Sequence, residues 1–225
     1  MKYEIDYLKE KLYSGVVSDV LDQMGYRNQT LGGGIHGLKD ETVVCGPAFT
    51  SIGNTVYTMP DDPLTAQCKV VDQLQPGEVY VLATRGEYNC AVFGELFATA
   101  VLQRKGVGVL LDGMARDLRA LKQMDFPLFY RGALPTTSKG RCEINECKLP
   151  VQIDGVLINP GDIVFGDIDG VCIIPQDIAD EVFERALALI ENENTVRANL
   201  HKGVSLEQVY KDCLLYTSPS PRDRQ

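Results

Sequence analysis

Three side chains in this sequence have the types and spacing to handle a small acid and a hard cation. They are Glu95 in NCAVFGELFATA, and Arg116 and Asp117 in GVGVLLDGMARDL. The planar fork of an arginine grips a carboxylate through parallel hydrogen bonds. An aspartate offers hard oxygens suited to Mg²⁺ or Mn²⁺. Asp112, Arg116 and Asp117 follow the apolar run Val107 to Leu111, and ligands of open α/β sheets gather just past the carboxyl ends of such strands. The plain alternative is a surface arginine and aspartate at a helix start, where the acid only favours the helix dipole.

The elements around these residues alternate. Apolar positions Leu8, Leu12, Val16, Val17, Val20, Leu21 and Met24 recur at helical spacing over residues 4 to 24 and stop at Gly25. Val43 to Ile52 reads as a strand and Leu64 to Leu74 as a helix. Pro76-Gly77 turns the chain into a strand from Glu78 to Ala83. A helix is expected from Ala91 to Arg104, then the strand Val107 to Leu111, a turn at Asp112-Gly113, and a second helix from Arg116 to Met124. Beyond Pro127 the pattern changes to hairpins. Val151 to Ile153 pairs with Val156 to Ile158 across Asp154-Gly155, and Ile163 to Phe165 pairs with Val171 to Ile174, before an amphipathic helix over residues 177 to 202. This alternation predicts one α/β domain with partly parallel pairing.

Composition narrows the function classes. The chain has 225 residues, 44% of them hydrophobic, which is the balance of a single domain that folds without disulfides or a structural metal. Its 31 acidic against 22 basic residues give a net charge of −9, opposed to the clustered Lys and Arg of a nucleic-acid binder. No 18-residue apolar stretch occurs, and MKYEIDYLKEKLYSGVV lacks the apolar run of a signal peptide. A cytoplasmic protein that binds neither nucleic acid nor membrane is expected. The seven cysteines stand singly, mostly in apolar segments, and read as reduced core thiols. From Cys213 onward the sequence shifts to CLLYTSPSPRDRQ, which resembles the translation of a sequencing adapter. Residues 1–212 are therefore taken as the domain and 213–225 as a foreign tail.

Competing motifs are weaker. Gly32, Gly34 and Gly37 satisfy GxGxxG but lead from a polar segment into a strand, the reverse of a dinucleotide site. Asp162, Asp167 and Asp169 lack the remaining ligands of a calcium loop and suit hairpin turns. Lys105, Lys122, Lys139 and Lys148 all have polar or glycine neighbours, which argues against an imine-forming lysine.

Over about residues 10 to 210 the chain resembles the RraA-like family, which includes metal-dependent 4-hydroxy-4-methyl-2-oxoglutarate and 4-carboxy-4-hydroxy-2-oxoadipate aldolases and regulators of ribonuclease E. The segments that carry the resemblance are SGVVSDVLDQMG, GPAFT, NCAVFGELFATA, GVGVLLDGMARDL, PGDIVFGDIDGVCIIP and HKGVSLEQ. It implies a swivelling α/β/β/α domain, related to phosphohistidine domains, that assembles as a homotrimer or a hexamer. It also implies that Asp117 ligates Mg²⁺ or another divalent cation, that Glu95 reaches the ion through a water, and that Arg116 grips the carboxylate of a 2-oxo acid substrate. The loop amides of Gly94, Glu95, Leu96 and Phe97 would bind the same end of that substrate. The family pattern is an acid, twenty intervening residues, Arg-Asp, two more residues and then another acid. Glu95 fills the first place, where the best-known aldolases carry Asp, and Ala120 stands in the last. A neighbouring subunit would donate a further acid, with Glu191 and Glu193 among the candidates. Retro-aldol release of pyruvate is the implied activity, with oxaloacetate decarboxylation through the same enolate. The alternative, favoured by Ala120, is a non-catalytic protein that binds and inhibits a ribonuclease.

Overall fold

The computed structural model describes residues 2–86 and 88–217. Its framework is a mixed sheet whose central strands are parallel: β2 (Val44–Thr55), β3 (Val79–Ala83), β5 (Gly108–Ala115) and β6 (Leu128–Ala133), with β4 (Ala91–Phe93) joining β5 at its far end. The parallel neighbours are connected through short helices. α3 (Thr65–Val71) lies between β2 and β3, α4 (Glu95–Gln103) between β4 and β5, and α5 (Leu118–Gln123) between β5 and β6. Antiparallel partners complete the sheet: β1 (His36–Gly37) on β6, β7 (Cys142–Cys147) and β10 (Ile163–Asp167) on β2, and β11 (Gly170–Ile174) on β10. The separate hairpin of β8 (Val151–Ile153) and β9 (Val156–Ile158) covers one face, and the sheet rolls nearly into a barrel. This is the mixed α/β class expected from the alternation of elements.

Strand periodicity divides the interior. Tyr80 and Leu82 of β3 face α3, α4 and α5 together with Phe49, Phe93, Val101, Leu111 and Leu121. Val79, Val81 and Ala83 point the other way, onto Val151, Ile153, Val156 and Ile158 of the hairpin. Side chains that alternate between two buried faces explain why these strands read as unbroken apolar runs. A third cluster joins α1 (Ile5–Lys11), α2 (Ser14–Gln23) and α6 (Ala179–His201) to β10 and β11 through Leu8, Val17, Leu21, Phe165, Ile174 and Phe183.

Several sequence expectations need correction. The single N-terminal helix is two, because Leu12 and Tyr13 are extended. The buried Asp167 carboxylate accepts the Ser14 amide at 2.7 Å and the Ser14 hydroxyl at 2.6 Å, starting a new helix there. Ala91 to Phe93 is a strand, with the helix starting only after Gly94; a short apolar run does not distinguish the two by periodicity. Asp112-Gly113 is no turn, since β5 continues to Ala115. The strands β6 and β7 have no counterpart among the expected elements. Cys68 is exposed and Cys147 half-buried, whereas Cys45, Cys90, Cys142 and Cys172 are buried as expected. The two hairpins and the long helix fall where anticipated, with a 3₁₀ turn, Gln176–Ile178, ahead of α6. Helix α7 (Leu206–Thr217) enters the segment read as a foreign tail, and residues 218–225 of that segment lie outside the described residues. Among the described residues no helix is long and apolar enough to cross a membrane.

Candidate active site

β4 and β5 are parallel neighbours, with Phe93 opposite Ala115, and the Arg116 amide donates to the Phe93 carbonyl at 2.9 Å. Gly94-Glu95 and Arg116-Asp117 therefore leave the carboxyl ends of two adjacent strands side by side, each pair opening a helix. Asp117 has φ 60° and ψ 28°, the left-handed conformation, which aspartate adopts more readily than most non-glycine residues. Its carbonyl accepts the amides of Ala120 at 2.9 Å and Leu121 at 3.1 Å, so the residue starts α5 through its backbone. Its side chain is left free to turn back across the gap to β4.

There the Asp117 Oδ2 accepts the Glu95 amide at 3.3 Å and lies 3.5 Å from Arg116 Nε. Gly94 makes this approach possible by its lack of a side chain. Its φ of −158° is ordinary extended backbone, but a Cβ there would lie 2.5 Å from Asp117 Oδ2 and 3.2 Å from Arg116 Cγ. The Glu95 carboxylate runs along its own helix, where its Oε1 accepts the Thr99 hydroxyl at 2.9 Å. Leu96 is 78% exposed, while Phe97 is half-buried, its ring stacked on Phe93 at 6.3 Å. The amides of Leu96 and Phe97 belong to the first turn of α4, where N–H groups have no partner inside the helix.

The Arg116 and Asp117 side chains are 42% and 43% exposed, so their mutual attraction adds little stability and both remain open to a ligand. Among the described residues no hydrogen bond occupies the terminal Nη groups of Arg116. Free guanidinium Nη groups, one oriented carboxylate and the start of a helix converge here, a set whose chemistry suits a small carboxylic acid beside a cation. Among the described residues no group of three or more His, Cys, Asp or Glu could hold a metal ion. A tetrahedral zinc site finds no ligand set there. One or two carboxylates, with water and substrate oxygens completing the shell, is the way Mg²⁺ is held, and the Asp117 cradle that a Gly94 Cβ would fill fits that role.

The structure thus sets Gly94 and Glu95, followed by Leu96 and Phe97, beside Arg116 and Asp117. It separates Asp112 from them. Asp112 is buried on the opposite face of β5, where its Oδ1 accepts Arg131 Nε at 2.8 Å and the Tyr88 hydroxyl at 2.9 Å. Arg131 and Tyr88 were not anticipated, although an arginine inside the apolar strand LFYRGA was a visible irregularity. Of the candidate neighbour-donated acids, Glu191 is exposed. Glu193 accepts the Tyr13 hydroxyl and pairs with Arg197 at 3.6 Å. Burial, and then the bond to Glu193, push the Tyr13 phenol up to about 12.

The family model described as RraA-like, Aldolase/RraA, matches residues 15–173. A protein of Halalkalibacterium halodurans named "Putative 4-hydroxy-4-methyl-2-oxoglutarate aldolase" is 32% identical over 213 residues, covering 88% of this chain and 96% of its own length. Protein DlpA of Legionella pneumophila is 30% identical over 202 residues, which is 88% of this chain, yet the match spans only 32% of DlpA. Among solved structures, RraAS2 of Streptomyces coelicolor, described as an unusual member of the RNase ES inhibitor RraA protein family, superposes with a TM-score of 0.78 at 26% identity, covering 87% of this chain and 96% of its own. With its parallel strands ending in GEL and ARD and the family match running across both, this chain belongs to the RraA-like family.

Proposed function

We propose that this chain is a divalent-metal-dependent lyase that cleaves 4-hydroxy-2-oxo acids to pyruvate and a second oxo acid. The observation that carries the reading is the Asp117 carboxylate, fixed by the Glu95 amide in the space left by Gly94, beside the unoccupied fork of Arg116. The names of relatives such as the Halalkalibacterium protein support the same class.

Arg116 would take the substrate C1 carboxylate through two N–H bonds, and the amides of Leu96 and Phe97 would add donors to the same end. Asp117 would hold Mg²⁺ or Mn²⁺, which when bound supplies Lewis-acid polarisation of the 2-oxo group. As the C3–C4 bond breaks, its electron pair passes into the enolate of pyruvate, and the 4-hydroxyl gives up its proton to leave a carbonyl. Glu95, acting through one water, would accept that proton and return one to C3. Oxaloacetate decarboxylation needs the same enolate and the same proton at C3, so it belongs to the same proposal. A cytoplasmic location and a homotrimer or hexamer, in which a neighbouring subunit would cover the exposed Leu96 beside the half-open site, belong to it as well.

Purified protein treated with EDTA is expected to stop releasing pyruvate from 4-hydroxy-4-methyl-2-oxoglutarate and from oxaloacetate, and to recover on addition of Mg²⁺. Release that EDTA does not affect would overturn the metal assignment. A ribonuclease-binding role is the second reading, favoured by Ala120, a carbon-only side chain one turn into α5 where the family pattern has an acid. It is supported by the description of RraAS2, and it predicts stable co-purification with a ribonuclease and no pyruvate release.

A further inference from the structure

β5 changes partners in mid-strand. Residues Gly108 to Asp112 pair with β3, from Val79 to Ala83, whereas Met114 and Ala115 pair with β4 at Ala91 and Phe93. The register with β6 shifts over the same interval, between Leu111 and Met114. The exchange happens at Asp112-Gly113, and a bulge of this kind re-aims the chain beyond it. That chain carries Arg116 and Asp117, and β4 delivers Gly94 and Glu95. The geometry of this junction therefore sets the distance between the two halves of the site.

The junction is clamped from the face away from the site. The buried Asp112 side chain receives Arg131 from β6 and Tyr88 from the loop between β3 and β4. The Asp112 carbonyl accepts the buried Thr84 hydroxyl. Gly113 leaves room for that threonine, since a Cβ there would lie 3.0 Å from Thr84 Cγ2. Arg131 reaches outward as well, its Nη2 donating to Asp154 at 2.5 Å, and Asp154 in turn accepts the Gly32 amide at 2.9 Å. The inner half of the network thus holds the strand exchange, and the outer half ties down the hairpin turn and the glycine loop.

Resting on the lyase reading above, we infer that Asp112, held by Arg131 and Tyr88, is a positioning residue that fixes Arg116-Asp117 against Gly94-Glu95. It touches neither substrate nor metal. A buried carboxyl group that accepts from one arginine and one phenol resists displacement, because moving it would leave buried polar groups without their partners. That resistance is what holds the bulge in a single arrangement.

The test compares Asp112→Asn, Tyr88→Phe and Asp154→Asn in the full chain. Amide hydrogen exchange is read without ligand over residues 91–97 and 113–117, alongside Mg²⁺ affinity by calorimetry and the separate kcat and KM for oxaloacetate. Asp112→Asn is expected to speed exchange in both segments about tenfold or more, and to weaken Mg²⁺ binding and lower kcat by about 10- to 100-fold. Tyr88→Phe should move the same quantities in the same direction by less, and it carries the test if Asp112→Asn does not fold. Asp154→Asn should lower the melting temperature and move exchange in the two segments, Mg²⁺ affinity and kcat by clearly less than Asp112→Asn does, because Arg131, which the two acids share, keeps its Nε bond to Asp112. Equal effects from Asp112→Asn and Asp154→Asn, or unchanged exchange in both Asp112→Asn and Tyr88→Phe, would overturn the inference. Absence of pyruvate release by wild type would instead overturn the lyase reading, and the exchange comparison would still decide the positioning role.

Discussion

At the scale of single residues, Asp117 and Gly94 depend on each other. The left-handed backbone of Asp117 turns its carboxylate toward β4, and only a residue without a side chain accommodates it there. Gly94→Ala is therefore expected to push Asp117 Oδ2 off the Glu95 amide and lower kcat/KM about 100-fold. Its melting temperature should stay within about 3 °C of wild type, since the clash is relieved at a half-exposed side chain. Steady-state kinetics and a thermal scan check both parts. Cys45 offers a pH test away from the site. Burial pushes its thiol from 9.0 up to about 12, so above pH 9 the unfolded chain has lost a proton that the folded chain keeps. Stability should then fall as pH rises from about 9 toward 12, with Cys45 contributing up to about 1.4 kcal/mol per pH unit. In urea titrations at pH 8 and 10.5, Cys45→Ala should show a smaller alkaline loss than wild type; an equal loss would contradict the assignment.

At the scale of elements, legibility in the sequence depends on how each element is stabilised. The β8–β9 and β10–β11 hairpins and α6 were readable because local chemistry sets them: Asp-Gly turns, alternation, and a helical stripe. The candidate site pairs were legible through the resemblance to the RraA-like family, which sets GEL and ARD at this separation; the spacing of Glu95, Arg116 and Asp117 alone left a plain surface pair as an alternative. Elements settled by distant partners were not readable. The break at Leu12–Tyr13 depends on Asp167, which lies 153 positions from Ser14, and the passage of β5 through Asp112-Gly113 depends on Arg131 and Tyr88. An Asp-Gly pair inside a strand looks the same in sequence as one in a turn. The role of Asp167 can be measured directly. Ser14→Ala removes a buried hydroxyl bond to a carboxylate and should cost about 1.5 to 3 kcal/mol in chemical denaturation. Lyase kinetics should be unchanged, because α2 packs on β10, β11 and α6, away from α4 and α5.

At the scale of the whole molecule, the net acidic charge, the large mixed sheet with its covering hairpin and the half-open site form a consistent whole. Parallel strands direct their carboxyl ends, and the helices that come after them, to one place, while the antiparallel strands and the α1, α2 and α6 layer supply burial elsewhere. The family brings together proteins named as aldolases and proteins described as ribonuclease inhibitors, and Ala120 leaves this chain one acid short of the aldolase pattern. The residues that remain, Asp117 in its cradle and the free Arg116 fork, are those a metal-assisted cleavage needs first. The most direct test is pyruvate release from 4-hydroxy-4-methyl-2-oxoglutarate at saturating Mg²⁺, comparing wild type with Asp117→Ala. The lyase account predicts turnover by wild type and a loss of about 1,000-fold or more in the variant; equal rates, or no pyruvate from either protein, would contradict it.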